Sequence, residues 1–392
     1  MTDTPSLNAE IKVSSKHLIS WLTEQALPIW YAQGTRQNIG DCFETISLDT
    51  SKGVHIDRRA RIVPRQIYSF LEGAELGWNG PAEEIATALW TWYESAYATP
   101  EGHLANAVDM HGQISDNSFD LYNHSFALFG LASISRTLPK LAEVSEKKAK
   151  RILDFLTSTY RHPIAGFREA NPNKTPLRSN PHMHLFEACL AWEAISDDPT
   201  WSDLADEIAE LALTRFIDPV NGGLREFFGL DWLPMPNDSG RAIEPGHQFE
   251  WAYLLVKWGQ SRKDSDALIA ARRLYEIGRT YGIDESRGAA FMALNDDFTV
   301  RNPVARLWGQ TEWIKAAVAL ASVSIGPERE AYLADIPISV KALTAYFENV
   351  PAGLYTDKWY PAGTFEDEPA PASSLYHIVC AISELNDFTK SL

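Results

Sequence analysis

Three histidines in short polar clusters are the residues of this chain best suited to proton transfer: His184, His247 and His377. Each lies near the expected start of a helix, where the positive end of the helix dipole disfavours the imidazolium form. A neutral imidazole is what general-base chemistry requires near physiological pH. Glu250 follows His247 by three residues, so a helix places both on one face, where the carboxylate can orient the ring or move a proton. The pattern predicts acid–base catalysis by paired histidines.

Other residues at the same helix starts could complete a binding pocket. They are Arg65, Tyr122, Asn180 and Glu312. Burying an arginine without a partner is costly, so Glu250 and Glu312 are the expected ion partners of Arg65 and Arg306. Trp308 falls at the same end and could lie under a bound ring. Any one of these residues, or a single histidine, could be purely structural, whereas their recurrence at equivalent positions favours function.

A metal site is the main alternative for the segment His182-x-His184-x-x-Glu187. On a helix, residues two apart point about 200° away from each other, so the two histidines cannot both bind one ion there. No His-x-x-x-His or cysteine pair supports a zinc site elsewhere. We therefore expect neither a metal nor a cofactor.

The chain reads as helices joined by glycine-bearing loops, with little sign of long strands. Apolar residues recur at helical spacing in twelve segments. These segments are Val13–Gln33, Gln66–Leu76, Pro81–Ala98, Ser118–Leu138, Ser145–Tyr160, His184–Ile195, Trp201–Phe216, Gln248–Trp258, Asp266–Tyr281, Ala305–Val323, Glu328–Phe347 and Ser373–Leu385. The pattern predicts an all-α protein.

A glycine-bearing loop follows every odd-numbered helix. The six glycines are Gly40, Gly102, Gly166, Gly223, Gly288 and Gly353. By subtraction of these numbers, successive glycines lie 62, 64, 57, 65 and 65 residues apart. A fixed period across the chain is typical of a repeat architecture, here a helical hairpin used six times. The recurrence of glycine indicates a positive φ or a close backbone approach in each loop.

The starts of the even-numbered helices share a second feature. Five of them have a nearby proline, which suits a first helical position: Pro64, Pro181, Pro245, Pro303 and Pro371. The fourth helix instead opens with Asp116, Asn117 and Ser118, which are good N-caps. Six hairpins without capping repeats favour a closed ring, an (α/α)6 barrel formed by residues 1–392 as one domain. All even-numbered helices then begin at one mouth, where their polar residues converge.

Composition excludes several classes of partner. The formal charge of −17 argues against nucleic acid and anionic membranes. No apolar run reaches the roughly 20 residues that a membrane helix needs, and the first twelve residues lack the apolar region of a secretory signal. Cys42, Cys189 and Cys380 are odd in number and scattered, as expected for a reduced compartment. We expect a cytoplasmic protein with a small-molecule substrate, and its oligomeric state stays open.

Six motifs, in order along the chain, resemble the N-acylglucosamine 2-epimerase family. They are PRQIYSF (64–70), DLYNHSFAL (120–128), NPHMHLFEA (180–188), PGHQFEWAYLL (245–255), RLWGQTEWIKA (306–316) and SSLYHIV (373–379). The resemblance spans nearly the whole chain and implies an (α/α)6 barrel. Two positions depart from the family pattern, Gly309 in place of proline and Tyr376 in place of a frequent tryptophan.

The resemblance also implies roles for individual residues. His247 and His377 match the acid/base pair, with Glu250 beside His247. Arg65, Tyr122, Asn180 and His184 match residues that contact substrate, and Trp308 matches an aromatic sugar contact. These positions are all occupied by the expected residue types.

The wording of the motifs is most similar to the D-mannose isomerase branch of the family. This branch implies interconversion of D-mannose and D-fructose, and also D-lyxose and D-xylulose, through ring opening and a cis-enediol. His377 is then the base at C2 and His247 its partner, although exchanged roles fit the sequence equally well. The nearest alternative is a 2-epimerase; a glycoside hydrolase using Glu250 and Glu312, or a non-catalytic sugar-binding protein, fits less well. The chain has no Walker-type phosphate loop, which disfavours a phosphorylated substrate, although its arginines could bind one.

Overall fold

The computed structural model describes residues 4–392 and contains twelve helices. The first, α1, combines Thr4–Trp21, a π-helical turn at Leu22–Ala26 and Leu27–Gly34; α7 likewise continues from Pro199–Leu211 into Ala212–Phe216. The others are α2 (Ile62–Glu75), α3 (Ala82–Tyr97), α4 (Leu121–Thr137), α5 (Ala142–Tyr160), α6 (Ser179–Glu193), α8 (Pro245–Arg262), α9 (Ser265–Tyr281), α10 (Leu307–Val323), α11 (Gly326–Thr344) and α12 (Ala372–Thr389). The number and order of helices confirm the prediction.

The even-numbered helices form an inner ring and the odd-numbered helices an outer ring. An inner helix is covered on all sides, and in α10 every residue from 307 to 321 is buried. An outer helix buries only one stripe. In α5 the buried positions recur every three or four residues, at Ser145, Ala149, Leu153, Leu156 and Tyr160. An outer helix therefore has apolar residues on one face only, whereas an inner helix has them on all faces.

The ring is closed by contacts between the first and last inner helices. Each inner helix packs against the next, and α12 returns to pack against α2. At this junction Gln66 donates from Nε2 to the carbonyl oxygen of Ala372, at 2.9 Å. The predicted (α/α)6 barrel is therefore correct. No helix within residues 4–392 combines the length and apolar character needed to cross a membrane.

Sixteen strands of two or three residues lie in the loops. They are β1 (Thr35–Arg36), β2 (Asp41–Cys42), β3 (Thr45–Ile46), β4 (Arg58–Arg59), β5 (Ala107–Val108), β6 (Ile114–Asp116), β7 (Leu177–Arg178), β8 (Phe227–Phe228), β9 (Ala242–Ile243), β10 (Ile283–Asp284), β11 (Ala289–Ala290), β12 (Ala293–Asn295), β13 (Val300–Asn302), β14 (Ala305–Arg306), β15 (Lys358–Trp359) and β16 (Ala370–Pro371). All pairings are antiparallel, and β16 pairs with β3, which ties the end of the chain to its beginning. These ribbons anchor the loops that surround the barrel mouth.

The repeated glycines have positive φ in five of the six loops as predicted, and the fourth is shifted by one residue. Gly222 has a φ of +79°, and Gly223 does not lie in this region. Gly353 shows the second reason for glycine, because a Cβ there would lie 2.4 Å from the carbonyl oxygen of Gln25. The backbone conformation of these loops therefore explains why a glycine recurs about every 60 residues.

Several predicted helix starts were wrong. The fourth helix is capped by Asp120, whose side chain accepts from the Tyr122 amide at 3.0 Å, whereas Asp116 belongs to β6. The sixth helix begins at Ser179, five residues before the predicted His184. The first turn of both helices contains polar residues that line the pocket. These residues interrupt the apolar periodicity, so the periodicity did not indicate the correct helix starts.

Candidate active site

The mouth of the barrel opens into a cavity of about 540 Å³ at the start of the inner helices. Eight of the predicted site residues line it: Arg65, Tyr122, Asn180, His184, His247, Glu250, Trp308 and His377. Because all inner helices begin at this mouth, side chains far apart in sequence converge there. The ninth predicted residue, Glu312, does not line the cavity.

His247 is the third residue of α8 and has two carboxylates beside its Nδ1 atom. Oε2 of Glu226 lies at 2.9 Å and Oε2 of Glu244 at 3.7 Å. Burial alone would lower the pKa of His247, but these two carboxylates override burial and raise the pKa to about 10. The prediction of a neutral ring was wrong for His247, because two nearby full charges outweigh the partial charge of a helix end. The raised pKa favours the imidazolium form of His247, which has a proton to donate.

His377 has the opposite protonation state. Its Nδ1 lies 2.8 Å from Oε1 of Glu312, and Lys315 contacts the other oxygen of that carboxylate at 2.6 Å. Burial, together with the charges of Arg65 and Lys315, lowers the pKa of His377 well below its usual value. The neutral ring donates from Nδ1 to Glu312, which leaves Nε2 able to accept a proton in the cavity. Glu312 thus positions His377, and its predicted contact with substrate was wrong because the carboxylate is fully buried behind the ring.

Trp308 lies between the two histidines. Its ring centroid is 5.0 Å from that of His247 and 5.9 Å from that of His377. Gly246 makes this placement possible, since a Cβ there would lie 2.3 Å from Cζ3 of Trp308. His247, the Trp308 ring and His377 therefore follow one another along one wall of the cavity.

His184 belongs to a network that extends below the cavity. Its Nδ1 lies 3.0 Å from Oε2 of Glu187, whose other oxygen accepts from the Tyr376 hydroxyl. The Tyr122 ring packs edge-on against His184, with the ring centroids 4.9 Å apart. Burial lowers the pKa of His184 to about 4, so this ring is also neutral. It can contribute a hydrogen bond to a ligand without contributing charge.

Glu250 lines the cavity, and neither of its carboxyl oxygens has a hydrogen-bond partner within residues 4–392. Its Oε1 lies 3.8 Å from Nδ1 of His184 and 4.0 Å from Nζ of Lys315. Burial and the charge of Glu312 raise the pKa of Glu250 well above its usual value. The raised pKa favours the neutral carboxyl form, which can donate a proton. It does not bond to His247, so the expected role in orienting that ring was wrong; Glu226 has this role instead.

The two arginines of the sequence prediction have different partners from those expected. Arg65 donates to the Tyr122 hydroxyl and to the carbonyl oxygen of Ser373, and it bonds to no carboxylate within residues 4–392. Its guanidinium stacks on the Phe126 ring, 4.0 Å from the centroid. Arg306 pairs with Asp357, with Nε and Oδ2 2.8 Å apart. Neither arginine pairs with Glu250 or Glu312. Lys315 forms an ion pair with Glu312 and lies 4.0 Å from Glu250.

Three groups near the cavity combine histidine and carboxylate atoms within 4.8 Å of one another, the spacing that a metal ion needs. They are His184 with Glu187 and Glu250, His247 with Glu226 and Glu244, and His377 with Glu250 and Glu312. In the third group Lys315 already supplies a positive charge. His182 takes part in none of them, because its Nε2 accepts from the Phe167 amide at 3.0 Å.

The sequence profile of the N-acylglucosamine 2-epimerase (GlcNAc 2-epimerase) family matches residues 42–381. The chain belongs to this family. Mannose-6-phosphate isomerase of Rhizobium meliloti (strain 1021) is 43% identical over 389 residues, which cover 98% of this chain and 100% of that protein. D-mannose isomerase of Thermobifida fusca is 27% identical over 245 residues, 56% of each chain. A crystal structure of a D-mannose isomerase shares the fold, with a TM-score of 0.85 at 18% identity over 100% of both chains.

Membership of the epimerase family and these relatives make the protein a sugar isomerase or epimerase. The sequence analysis missed residues that contact the histidines or their partners. Above all these are Glu226, which binds His247, and Lys315, which pairs with Glu312 beside His377. The repeated loops contained a sequence signal for Glu226, because a glutamate follows the glycine in three of them. These glutamates are Glu44, Glu169 and Glu226, and they bind Arg59, Arg178 and His247 respectively. Three of the six loops therefore place a glutamate carboxylate against a basic side chain at the mouth of the barrel.

Proposed function

We propose that this protein is an aldose–ketose isomerase that interconverts D-mannose and D-fructose, and D-lyxose and D-xylulose, by histidine acid–base catalysis. One observation carries the proposal: His247 and His377 flank Trp308, and their surroundings drive their pKa values in opposite directions. Two titratable groups separated in this way identify an acid and a base. Residues 1–392 would act as one catalytic domain, because strand β16 joins β3 and closes the ring.

The reaction begins with the closed sugar ring. His247 protonates the ring oxygen as its bond to C1 breaks, and the C1 hydroxyl passes its proton to solvent water, which gives the open aldehyde. His247 then regains a proton from solvent. His377 then takes the proton from C2. Arg65, which has no carboxylate of its own, stabilises the negative charge that develops on the enediolate oxygens.

Glu250 completes the transfer on the oxygen side. The protonated carboxyl donates its proton to O1 to give the cis-enediol, and the carboxylate then takes the proton of O2. His377 returns its proton to C1, and the ketose forms with both groups restored. Burial of Glu250 supports this role, because it favours the neutral carboxyl in the resting enzyme.

Sugar 2-epimerisation uses the same enediol with the proton returned to C2 from the other face. The hydrolase alternative is weaker, because it needs two carboxylates on opposite sides of the bond that breaks. Glu312 is fully buried behind His377, so it does not face a substrate together with Glu250. The relative of highest sequence identity discussed above is named Mannose-6-phosphate isomerase, which raises the separate question of a phosphate on the sugar.

Proton NMR of the purified protein with D-mannose in D₂O containing EDTA tests the proposal. A parallel sample contains D-mannose 6-phosphate. We expect the ketose to appear with deuterium at C1 and no effect of EDTA. Formation of the C2 epimer without ketose would assign an epimerase, and full retention of the C2 proton in both sugars would end the proposal.

A further inference from the structure

Basic side chains surround the mouth of the cavity, although the whole chain carries a net charge of −17. The group consists of Arg59, Arg61, Arg65, Arg178, Arg306 and Lys358. Four of the six have a close carboxylate partner: Arg59 binds Glu44, Arg178 binds Glu169, Arg306 binds Asp357, and Lys358 binds Glu366 and Glu368. Arg61 has only a distant one, Asp120, at 3.6 Å. Arg65 serves the proposed reaction. The role of Arg61 is not explained by that reaction.

Arg61 is held in the wall of the cavity with few polar contacts. Its nearest carboxylate oxygen, on Asp120, is 3.6 Å from Nη2, and Arg178 approaches the same carboxylate at 3.3 Å. Its Nε is buried and has no hydrogen-bond partner in the described part of the chain, while 19% of the side chain is exposed. The guanidinium lies 4.8 Å from the centre of the Tyr122 ring. Burial lowers the pKa of Arg61 from its usual value, which indicates that lost hydration is not fully replaced.

Charge in this part of the wall is unbalanced. Arg61, Arg65 and Arg178 carry three positive charges, and the carboxylates that contact them are Asp120 and Glu169. One positive charge therefore remains, together with the Nε–H of Arg61, which has no acceptor within residues 4–392. Planar arginine forks are well suited to phosphate, which offers several oxygens and a double negative charge.

The position of Arg61 fits one end of a sugar chain. Arg61 and Arg65 are four residues apart at the start of α2, hence on one face and about 6 Å apart along the helix axis. Arg65 is the deeper of the two and lies close enough to His377 to affect its protonation. Arg61 is one turn nearer the mouth, a distance comparable with the length of a hexose carbon chain beyond the carbons that exchange protons.

We propose that Arg61, supported by Arg178, binds the terminal phosphate of a hexose 6-phosphate while Arg65 serves the enediolate. This inference rests on the proposed isomerase reaction and specifies its substrate class. It revises the expectation from the missing Walker loop, because two arginine side chains would replace the glycine-rich backbone as the phosphate ligands.

Steady-state kinetics of the wild type and Arg61→Gln with D-mannose 6-phosphate and D-mannose test the phosphate site. We expect the wild type to have the higher kcat/KM for the phosphorylated sugar. Arg61→Gln should lower the ratio of the two kcat/KM values by about 10- to 100-fold, mainly through KM, because a charged hydrogen-bonded contact is lost. Arg61→Lys should restore part of the ratio. A wild type without preference for the phosphate, or an unchanged ratio in Arg61→Gln, would overturn the inference.

Arg59→Gln is the matched control. It removes the same charge two residues away on the same segment, but Arg59 is held by Glu44 and 45% of its side chain is exposed. We expect the wild-type ratio in this variant. A loss equal to that of Arg61→Gln would assign the preference to the general positive charge of the mouth and contradict a specific site.

Calorimetric binding of 1,5-anhydro-D-mannitol 6-phosphate separates this inference from the proposed function, because the analogue cannot isomerise. Binding to the wild type that weakens in Arg61→Gln supports the phosphate site even where neither sugar is converted. Equal binding to both proteins, with normal conversion of mannose, refutes the phosphate site and leaves the isomerase standing.

Discussion

Oε2 of Glu226 lies 2.9 Å from Nδ1 of His247, and this contact reverses the protonation state that a helix start would favour. Glu226 lies in the loop of the fourth repeat, whereas His247 lies in the first turn of α8. The corresponding contact of His377, with Glu312, is shared with the Lys315 ammonium, so that ring stays neutral. Two similar His–Glu pairs thus give an acid and a base.

Substituting Glu226 should move the alkaline limit of activity. His247 acts as an acid only below its pKa of about 10, so we expect the wild-type kcat/KM to fall as the pH rises through that value. Glu226→Gln removes one of the two carboxylates that raise this pKa, and the fall should begin at lower pH. The pH profile of kcat/KM measures the shift. Glu207→Gln, which loses an ion pair with Arg161, should keep the wild-type profile. An unchanged alkaline limit in Glu226→Gln would exclude His247 as the acid.

Replacing either of the two histidines proposed as acid and base should nearly stop turnover without unfolding the protein. His377→Ala and His247→Ala each remove one proton-transfer group, and we expect kcat to fall by about 10²- to 10⁴-fold. Solvent-deuterium incorporation at C2 and kcat are the measurements, with circular dichroism as the check on folding. His111→Ala, at an exposed loop position, is the control. Near-normal rates in both active-site variants would refute the mechanism.

Gly246 should be required for the position of Trp308. In Gly246→Ala the new Cβ would meet the Trp308 ring at 2.3 Å, so the ring must move away from the histidines. We expect kcat/KM to fall. Stability should also fall, because overpacking against a buried ring costs about 1–3 kcal/mol and outweighs the gain of about 1 kcal/mol in helix propensity.

The matched control for Gly246→Ala is Gly309→Ala on the neighbouring inner helix. Its Cβ would find ordinary contact, at 3.7 Å from that of Ala290. Kinetics and thermal unfolding of both variants separate the effect on the ring from the effect on the helix. Equal activity of the two variants would show that Trp308 need not be held in this place.

Lys315 should stabilise the fold by providing a positive charge beside the buried carboxyl groups of Glu312 and Glu250. The ammonium is fully buried, 2.6 Å from Glu312 and 4.0 Å from Glu250. Lys315→Met leaves buried acid groups without their counter-charge, and we expect a loss of about 3–5 kcal/mol in the free energy of unfolding. The double variant Lys315→Met/Glu312→Gln should recover part of this loss. Urea unfolding of the wild type, both single variants and the double variant is the measurement, and additive losses would contradict the ion-pair explanation.

Acid should destabilise the protein through buried neutral histidines. Burial lowers the pKa values of His124, His182 and His184 to about 4, from 6.5 when unfolded. Between these values the unfolded chain binds more protons, so stability falls as the pH drops from 6.5 to 4. His182→Gln removes one such group outside the cavity and should reduce the slope of stability against pH by about 1.4 kcal/mol per unit. An unchanged slope would show that His182 is not buried neutral.

The sequence by itself determined the barrel and most of the lining of its cavity. The helical period and the loop glycines are local features, and a repeat of about 60 residues predicts six similar hairpins. Because every inner helix starts at one mouth, residues as distant as Arg65 and His377 could be assigned to one site. The glycine of the fourth loop and the starts of α4 and α6 were misplaced, since polar pocket residues interrupt the local pattern.

Only the tertiary structure decided which carboxylate contacts the Nδ1 atom of each histidine. Glu226 is 21 residues from His247 in sequence, and Glu312 is 65 residues from His377. Protonation depends on charges a few ångströms away and on burial, both of which depend on packing between helices and loops. The residue types of the site are therefore readable from the sequence, whereas the division into acid and base depends on distances that exist only in the folded chain.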